Sequence, residues 1–181
     1  MSKVIIKIVS VLLITFGTSL KAQDLNYDFV VAADASGDFV KIQDAIMAIP
    51  DFRKAETRIF IKNGTYKEKL ILPASKTNVT FIGEERENVI LTYDDFASKH
   101  NAFGEEKGTT GSSSFFVFGS NFTANNITFE NSSGPVGQAV AVRVDGNNAH
   151  FENCKFFYNP GFSNPMEGKF AYRNIKSLKI K

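Results

Sequence analysis

Gln138 is the side chain in this sequence best suited to chemistry. It opens an apolar run, Ala139-Val-Ala-Val-Arg-Val144. An amide N–H in that position can donate a hydrogen bond to an oxyanion that develops during acyl transfer. The plain alternative is an ordinary strand-start residue. His100 and His150 lie in unrelated settings, and no Ser–His–Asp elbow or metal-spaced cluster is present. The acidic pairs Asp94-Asp95 and Glu105-Glu106 fall in polar loops and read as solvated. Gly108-Thr-Thr-Gly-Ser-Ser-Ser114 looks superficially like a phosphate cradle. It lacks the Gly-Lys-Ser/Thr ending and a following helix, so it reads as a loop lining a groove.

The elements that must position these groups are mostly short strands. Asp28-Phe-Val-Val-Ala32 is one, and Phe39 to Ile49 carries apolar residues at helical spacing (Val40, Ile42, Ala45, Ile46, Ile49). Asp38 is placed to cap that helix and Pro50 to end it. Strands then follow at Thr57–Ile61, Lys69–Leu72, Val79–Ile82, Val89–Tyr93, Ser114–Phe118, Asn126–Phe129 and Ala139–Val144. Turns at Asn63-Gly64, Pro73, Gly83 and Gly119 separate several of them. Asn63-Gly-Thr-Tyr-Lys-Glu68 reads as a turn with Tyr66 packed and Glu68 solvated. Residues 96–113 form a polar, Gly/Ser-rich loop.

Phe129-Glu-Asn131 recurs as Phe151-Glu-Asn153, and Phe60 and Phe81 lie at a similar separation. Such a period, without intervening helices, fits the rungs of a parallel β-helix with the short helix capping its first rung. An antiparallel sandwich is the rival architecture. Five Asn-x-Ser/Thr triplets begin at Asn63, Asn78, Asn121, Asn126 and Asn131. They are glycosylation acceptors in some secreted proteins, but their recurrence at strand ends favours turn and ladder asparagines.

Lys3, Lys7, the apolar run Ile8–Phe16 and the small residues up to Ala22 read as a secretory signal peptide over residues 1–22. The apolar run is too short to span a bilayer. Three lysines and no acid leave with that segment, so the net charge of +2 becomes −1 for residues 23–181. Near-neutrality argues against general electrostatic binding of nucleic acid or anionic membrane. The single cysteine, Cys154, excludes an intrachain disulfide and a cysteine-based metal cluster. Periplasm, cell surface or medium is the expected location.

Taken together, the motifs resemble the pectinesterases (pectin methylesterases). Gly64-Thr-Tyr-Lys-Glu68 resembles their Gly-x-Tyr-x-Glu signature and Gly108–Ser114 their Gly/Thr/Ser loop. Gln138-Ala-Val-Ala-Val-Arg143 resembles Gln-Ala-Val-Ala-Leu-Arg, and Phe151-Glu-Asn-Cys-Lys-Phe156 resembles the strand after it. The resemblance implies an all-β, right-handed parallel β-helix over residues 23–158. It also implies a secreted esterase acting on methyl-esterified polygalacturonate without metal or cofactor. It assigns Gln138 to oxyanion stabilisation and Thr109 to substrate contact. In the family an aspartate attacks the ester, a second serves as general acid and base, and an arginine orients the nucleophile.

The sequence departs from the pattern beyond Tyr158. The Gln and Asp expected after the cysteine strand fall on Pro160 and Gly161, and the later aspartate and arginine segments have no counterpart. Residues 159–181 have a different texture, rich in Lys and Arg with no acid after Glu167. Codons for Asn159-Pro-Gly-Phe-Ser163, shifted by one base, permit Gln-Asp-Ser where Gln-Asp-Thr is expected. The expectation is a truncated or frameshifted member, catalytically incomplete as written. A non-catalytic secreted β-helix that binds pectic polysaccharide is the alternative.

Overall fold

The computed structural model describes residues 26–158 and 171–172. Its strands wind in successive turns, so that each strand pairs with one from the neighbouring turn. After β1 (Phe29–Val31) and helix α1 (Ile42–Ala48), the first full turn is β2 (Thr57–Ile61), β3 (Gly64–Lys67) and β4 (Leu70–Leu72). The second is β5 (Val79–Gly83), β6 (Val89–Tyr93), the short helix α2 (Gly108–Gly111) and β7 (Phe115–Val117). The third is β8 (Phe122–Asn125), β9 (Thr128–Asn131) and β10 (Val142–Val144). The last described turn comprises β11 (His150–Glu152), β12 (Lys155–Tyr158) and β13 (Ala171–Tyr172).

Three sheets result: β1-β2-β5-β8-β11, then β12-β9-β6-β3, then β13-β10-β7-β4. We call them the first, second and third sheets. Every strand pair is parallel. This is a parallel β-helix, as the sequence leads one to expect, and the antiparallel sandwich is ruled out. Residues 1–25, 159–170 and 173–181 lie outside the described residues, and with them the signal peptide and most of the divergent tail.

The interior accounts for many of the 18 phenylalanines, although Phe52 and Phe103 are exposed. Phe81, Phe115, Phe122, Phe129 and Phe151 are all fully buried and come from different strands. Phe115 stacks between Phe81 (5.8 Å) and Phe129 (6.0 Å), and Phe129 stacks on Phe156 (5.4 Å). Phe122 meets Phe81 and Phe151 edge-on. Such pairs add about 1 kcal/mol each beyond the area they bury. The repeat seen in the sequence has a different origin from the one expected. Phe129 lies in the second sheet and Phe151 in the first, where it pairs with Ala124. The local rung step there is 27 residues, as the bonds joining Asn121 to Asn148 and Asn126 to Asn153 show.

Those asparagines hold the corners. Asn78, Asn121 and Asn148 stack in three successive turns, each with positive φ (57°, 58° and 58°). Asn121 Nδ2 donates to Asn78 Oδ1 (2.8 Å), and Asn148 Nδ2 donates to Asn121 Oδ1 (3.0 Å). Asn126 and Asn153 form a second ladder at the next corner (2.7 Å). Asparagine tolerates the left-handed conformation that a sharp corner needs, and its amide bonds its own copy above. Where backbones close up further, glycine is required: a Cβ at Gly146 would meet Gly119 O at 2.1 Å.

The N-terminal cap differs from expectation in its details. Ile42, Ala45 and Ile46 are buried against the first rung, whereas Val40 is half exposed. Asp38 does not cap α1, because its carboxylate accepts the Val30 N–H (2.8 Å). Glu68, expected to be solvated, takes that role from a distance. Its two oxygens accept the N–H groups of Ile42 (2.9 Å) and Gln43 (3.2 Å). Gly64–Lys67 is itself a strand rather than a turn, and Tyr66 is buried with its hydroxyl donating to Lys62 O (2.8 Å). The Gly-Thr-Tyr-Lys-Glu segment thus stitches the capping helix to the first rung.

Replacing Asn121 by Ala removes two ladder bonds and puts an ordinary residue at positive φ. The expected loss is about 2–3 kcal/mol in thermal or denaturant unfolding. Asn121→Gly, which relieves only the backbone strain, should lose roughly half as much.

Candidate functional site

The chain passes from the second sheet to the third through connections of very unequal length. In the first rung, β3 leads to β4 almost directly. In the second and third rungs, residues 94–114 and 132–141 make the passage. Because consecutive rungs stack, these two long loops lie side by side. Ala97 N donates to Gln138 O (2.8 Å), and Ser114 N donates to Val140 O (3.0 Å).

This stacking brings the two sequence-predicted site residues together across 29 positions of chain. The Thr109 hydroxyl donates to Gln138 Oε1 at 2.6 Å, and both residues are exposed. Gln138 is exposed with its carbonyl oxygen engaged, and among the described residues its Nε2 donors have no partner. A donor fixed from behind and open in front is the arrangement that oxyanion stabilisation needs. The Gly108–Ser114 segment is not a featureless loop: Gly108–Gly111 forms one helical turn that presents Thr109. Arg143, on β10, pairs with Asp145 (2.7 Å) and reaches Thr110 O (3.4 Å).

Two residues hold this arrangement in place in ways the sequence did not suggest: Asn131, expected to be a turn or ladder asparagine, joins no asparagine ladder among the described residues, and Asp95 was expected to be solvated. Asn131, at the end of β9, is fully buried. Its Nδ2 lies within bonding distance of Asp95 O (2.9 Å), Ser112 O (3.0 Å) and Val140 O (3.2 Å). It therefore joins both ends of one loop to the other loop. Asp95 is likewise buried completely. Lys107 (2.5 Å) and Lys69 (2.6 Å) approach its Oδ2, and Lys99 (2.9 Å) approaches Oδ1. Lys69 also donates to Gly111 O (3.1 Å) at the end of α2. Burial pushes the Asp95 carboxyl upward, but the three ammonium groups outweigh it and hold the carboxyl well below its ordinary range. The only sequence signal was two adjacent acids followed by lysines, a pattern equally typical of a solvated loop.

Other reactive groups are less suited to nucleophilic work. The Cys154 thiol is pushed up to about 11, chiefly by burial. His100 pairs through its backbone with Glu106 in an isolated antiparallel bridge, and His150 stands on β11 near Glu152, 3.8 Å away, so the two histidines belong to different places. Among the described residues there is no His, Cys, Asp or Glu group of metal-binding form, and no helix long and apolar enough to cross a membrane. Pro160 and Gly161, in the connection after β12, lie outside the described residues.

Comparison with known proteins gives one consistent result. The pectinesterase family profile matches residues 28–162. Pectinesterase 31 of Arabidopsis thaliana is 39% identical over 131 residues, which is 70% of this chain and 41% of that protein. Pectin methylesterase from carrot superposes with a TM-score of 0.66 at 30% identity, over 86% of this chain and 47% of its own. A pectin methylesterase mutant in complex with a hexasaccharide gives a TM-score of 0.67 at 29% identity, over 72% and 43%. The chain spans about a quarter to two-fifths of the length of the curated relatives it matches.

Asp95→Ala leaves three lysines facing one another around a void. It should cost about 2–4 kcal/mol, measured by chemical denaturation, with the lysines' partial exposure limiting the loss. The sign of the pH effect follows from the depressed carboxyl. Its contribution is present above the ordinary aspartate range and fades as the pH falls below about 4. Asp95→Asn should therefore flatten the acid limb of the stability profile.

Proposed function

The chain belongs to the pectinesterase family, and on that premise we propose that the face carrying Thr109 and Gln138 binds methyl-esterified polygalacturonate, the substrate of pectinesterase-type ester hydrolysis. The observation that carries this reading is the Thr109–Gln138 bond, which leaves an amide donor preorganised at an open face. In the reaction, a carboxylate attacks the ester carbonyl, methanol leaves, and water hydrolyses the acyl intermediate. Gln138 would donate to the oxyanion at both tetrahedral stages. Thr109 would hold the amide and touch the sugar. The chemistry needs no metal or cofactor.

The 181 residues as written carry Pro160 and Gly161 where the family resemblance puts the second glutamine and the first aspartate. Proline and glycine side chains neither donate a hydrogen bond nor transfer a proton. The proposal is therefore that this chain binds the polymer and does not hydrolyse it. Residues 1–22 would direct export, residues 23–158 form the first rungs of the domain, and residues 159–181 depart from the family frame. Sequencing the coding DNA tests the last point: a shifted reading frame that lacks the later family segments would refute a frameshift.

Methanol release from esterified pectin should be undetectable with this chain, while a methyl-esterified galacturonate oligomer binds. Turnover would contradict the assignment of Pro160 and Gly161. Gln138→Leu and Thr109→Val should each weaken oligomer binding roughly three- to tenfold, the worth of about one hydrogen bond. Unchanged affinity in both variants would remove Gln138 and Thr109 from the site.

A further inference from the structure

The outer face of the second sheet carries a hollow. Side chains alternate across the sheet, and Leu91 and Phe129 point into the core. Their neighbours therefore point outward. Ile90, Thr128 and Lys155 stand in one outward column, and Thr92, Glu130 and Phe157 in the next. Thr128 is shorter than the residues on either side of it, and its hydroxyl is spent on Arg86 O (2.6 Å). The surface sinks there into a space of about 330 Å³, lined by Glu87, Ile90, Thr128, Glu130, Lys155 and Phe157. That size suits a small ligand.

The lining is of two kinds. Ile90 and Phe157 are apolar, and the Phe157 ring is 52% exposed. The other groups hydrogen-bond. Lys155 Nζ binds Glu87 Oε1 (2.9 Å) and has two further donors. Arg86 reaches the same oxygen (2.7 Å). The Glu130 carboxylate has no hydrogen bond or ion pair among the described residues. The one ammonium group thus lies against Glu87, and the charge of Glu130 is left unmatched.

We propose that this hollow binds a neutral sugar unit, with one pyranose face against Phe157 and Ile90 and hydroxyls on Glu130 and Lys155. The C–H face of a pyranose gains dispersion contact on an open aromatic ring. Hydroxyls both donate and accept, so they match a free carboxylate beside an ammonium group. A uronate would bring like charge up to Glu130. A wholly apolar ligand would desolvate that carboxylate and give it no partner. The site is separate from the face carrying Thr109 and Gln138. Thr128 and Lys155 begin β9 and β12, whereas the loops bearing Thr109 and Gln138 leave the far ends of β6 and β9. The inference therefore does not depend on the pectin reading. A neutral unit held here would tether a polysaccharide and leave the other face open.

NMR titration of this chain with two matched ligands decides the matter: an α-linked galactose tetramer and the corresponding galacturonate tetramer, which differ in charge. The galactose tetramer should give saturable amide shifts at the residues lining the hollow. It should bind there at least about fivefold tighter than the galacturonate tetramer. Added salt should leave the neutral ligand's affinity unchanged. Phe157→Ala should weaken it by up to about tenfold. Glu130→Gln, which keeps an acceptor and removes the charge, should narrow the gap between the two tetramers. Thermal unfolding of each variant is measured in parallel, and the two wild-type titrations decide the question even if a variant fails to fold. Absence of saturable shifts at the hollow, shifts confined to the loops bearing Thr109 and Gln138, equal or tighter binding of the galacturonate tetramer, or full affinity in a folded Phe157→Ala variant overturns the proposal.

Discussion

No rung of this protein makes its own sheet. Each strand's backbone groups are satisfied by the strand one turn above or below, in strictly parallel register. This constraint governs everything else. It fixes residues at equivalent positions of successive turns within one strand spacing of each other, however far apart they are in sequence. Asparagines then stack into ladders, phenylalanines fill one continuous interior, and two loops from adjacent turns become neighbours. Thr109 and Gln138 meet for this reason and no other.

Much of the fold was legible because its signals are local. Short alternating strands, Asn and Gly at their ends, and one helical stretch before the first rung are properties of a few residues at a time. The rung period was harder to read. Phe129-Glu-Asn131 and Phe151-Glu-Asn153 look like one repeated unit, yet they occupy different sheets. Asn153 takes the positive φ of a tight corner (50°), whereas Asn131 is buried and bonded to three backbone carbonyls, so one residue type serves two different ends. Similarity between corners therefore does not reveal which strands pair.

The site was legible only in its exposed part. Gln138 stood out as an amide opening an apolar strand, and Thr109 was singled out only through the resemblance of its Gly/Thr/Ser segment to the family's loop. Asp95 and Asn131 could not. A buried aspartate and a solvated one have the same flanking sequence, and only the three lysines from separate segments tell them apart. Glu68 was misread for the same reason, since the helix terminus it caps lies 26 residues earlier. Residues that bind charge or bare backbone ends at long range leave almost no trace in their own neighbourhood.

The unequal passages between the second and third sheets have a further meaning. At the other two corners, asparagine ladders and close glycine contacts set the chain's path tightly. At this one corner the connection is nearly absent in the first rung and occupies residues 94–114 in the second. Strand register does not depend on it. Away from buried Asp95 and the carbonyls that Asn131 holds, insertions and deletions there leave the strand register alone, whereas elsewhere they would shift a whole rung. Selection can thus vary the length and composition of one edge of the coil while the rest stays invariant, and recognition in this architecture can diversify without renegotiating stability.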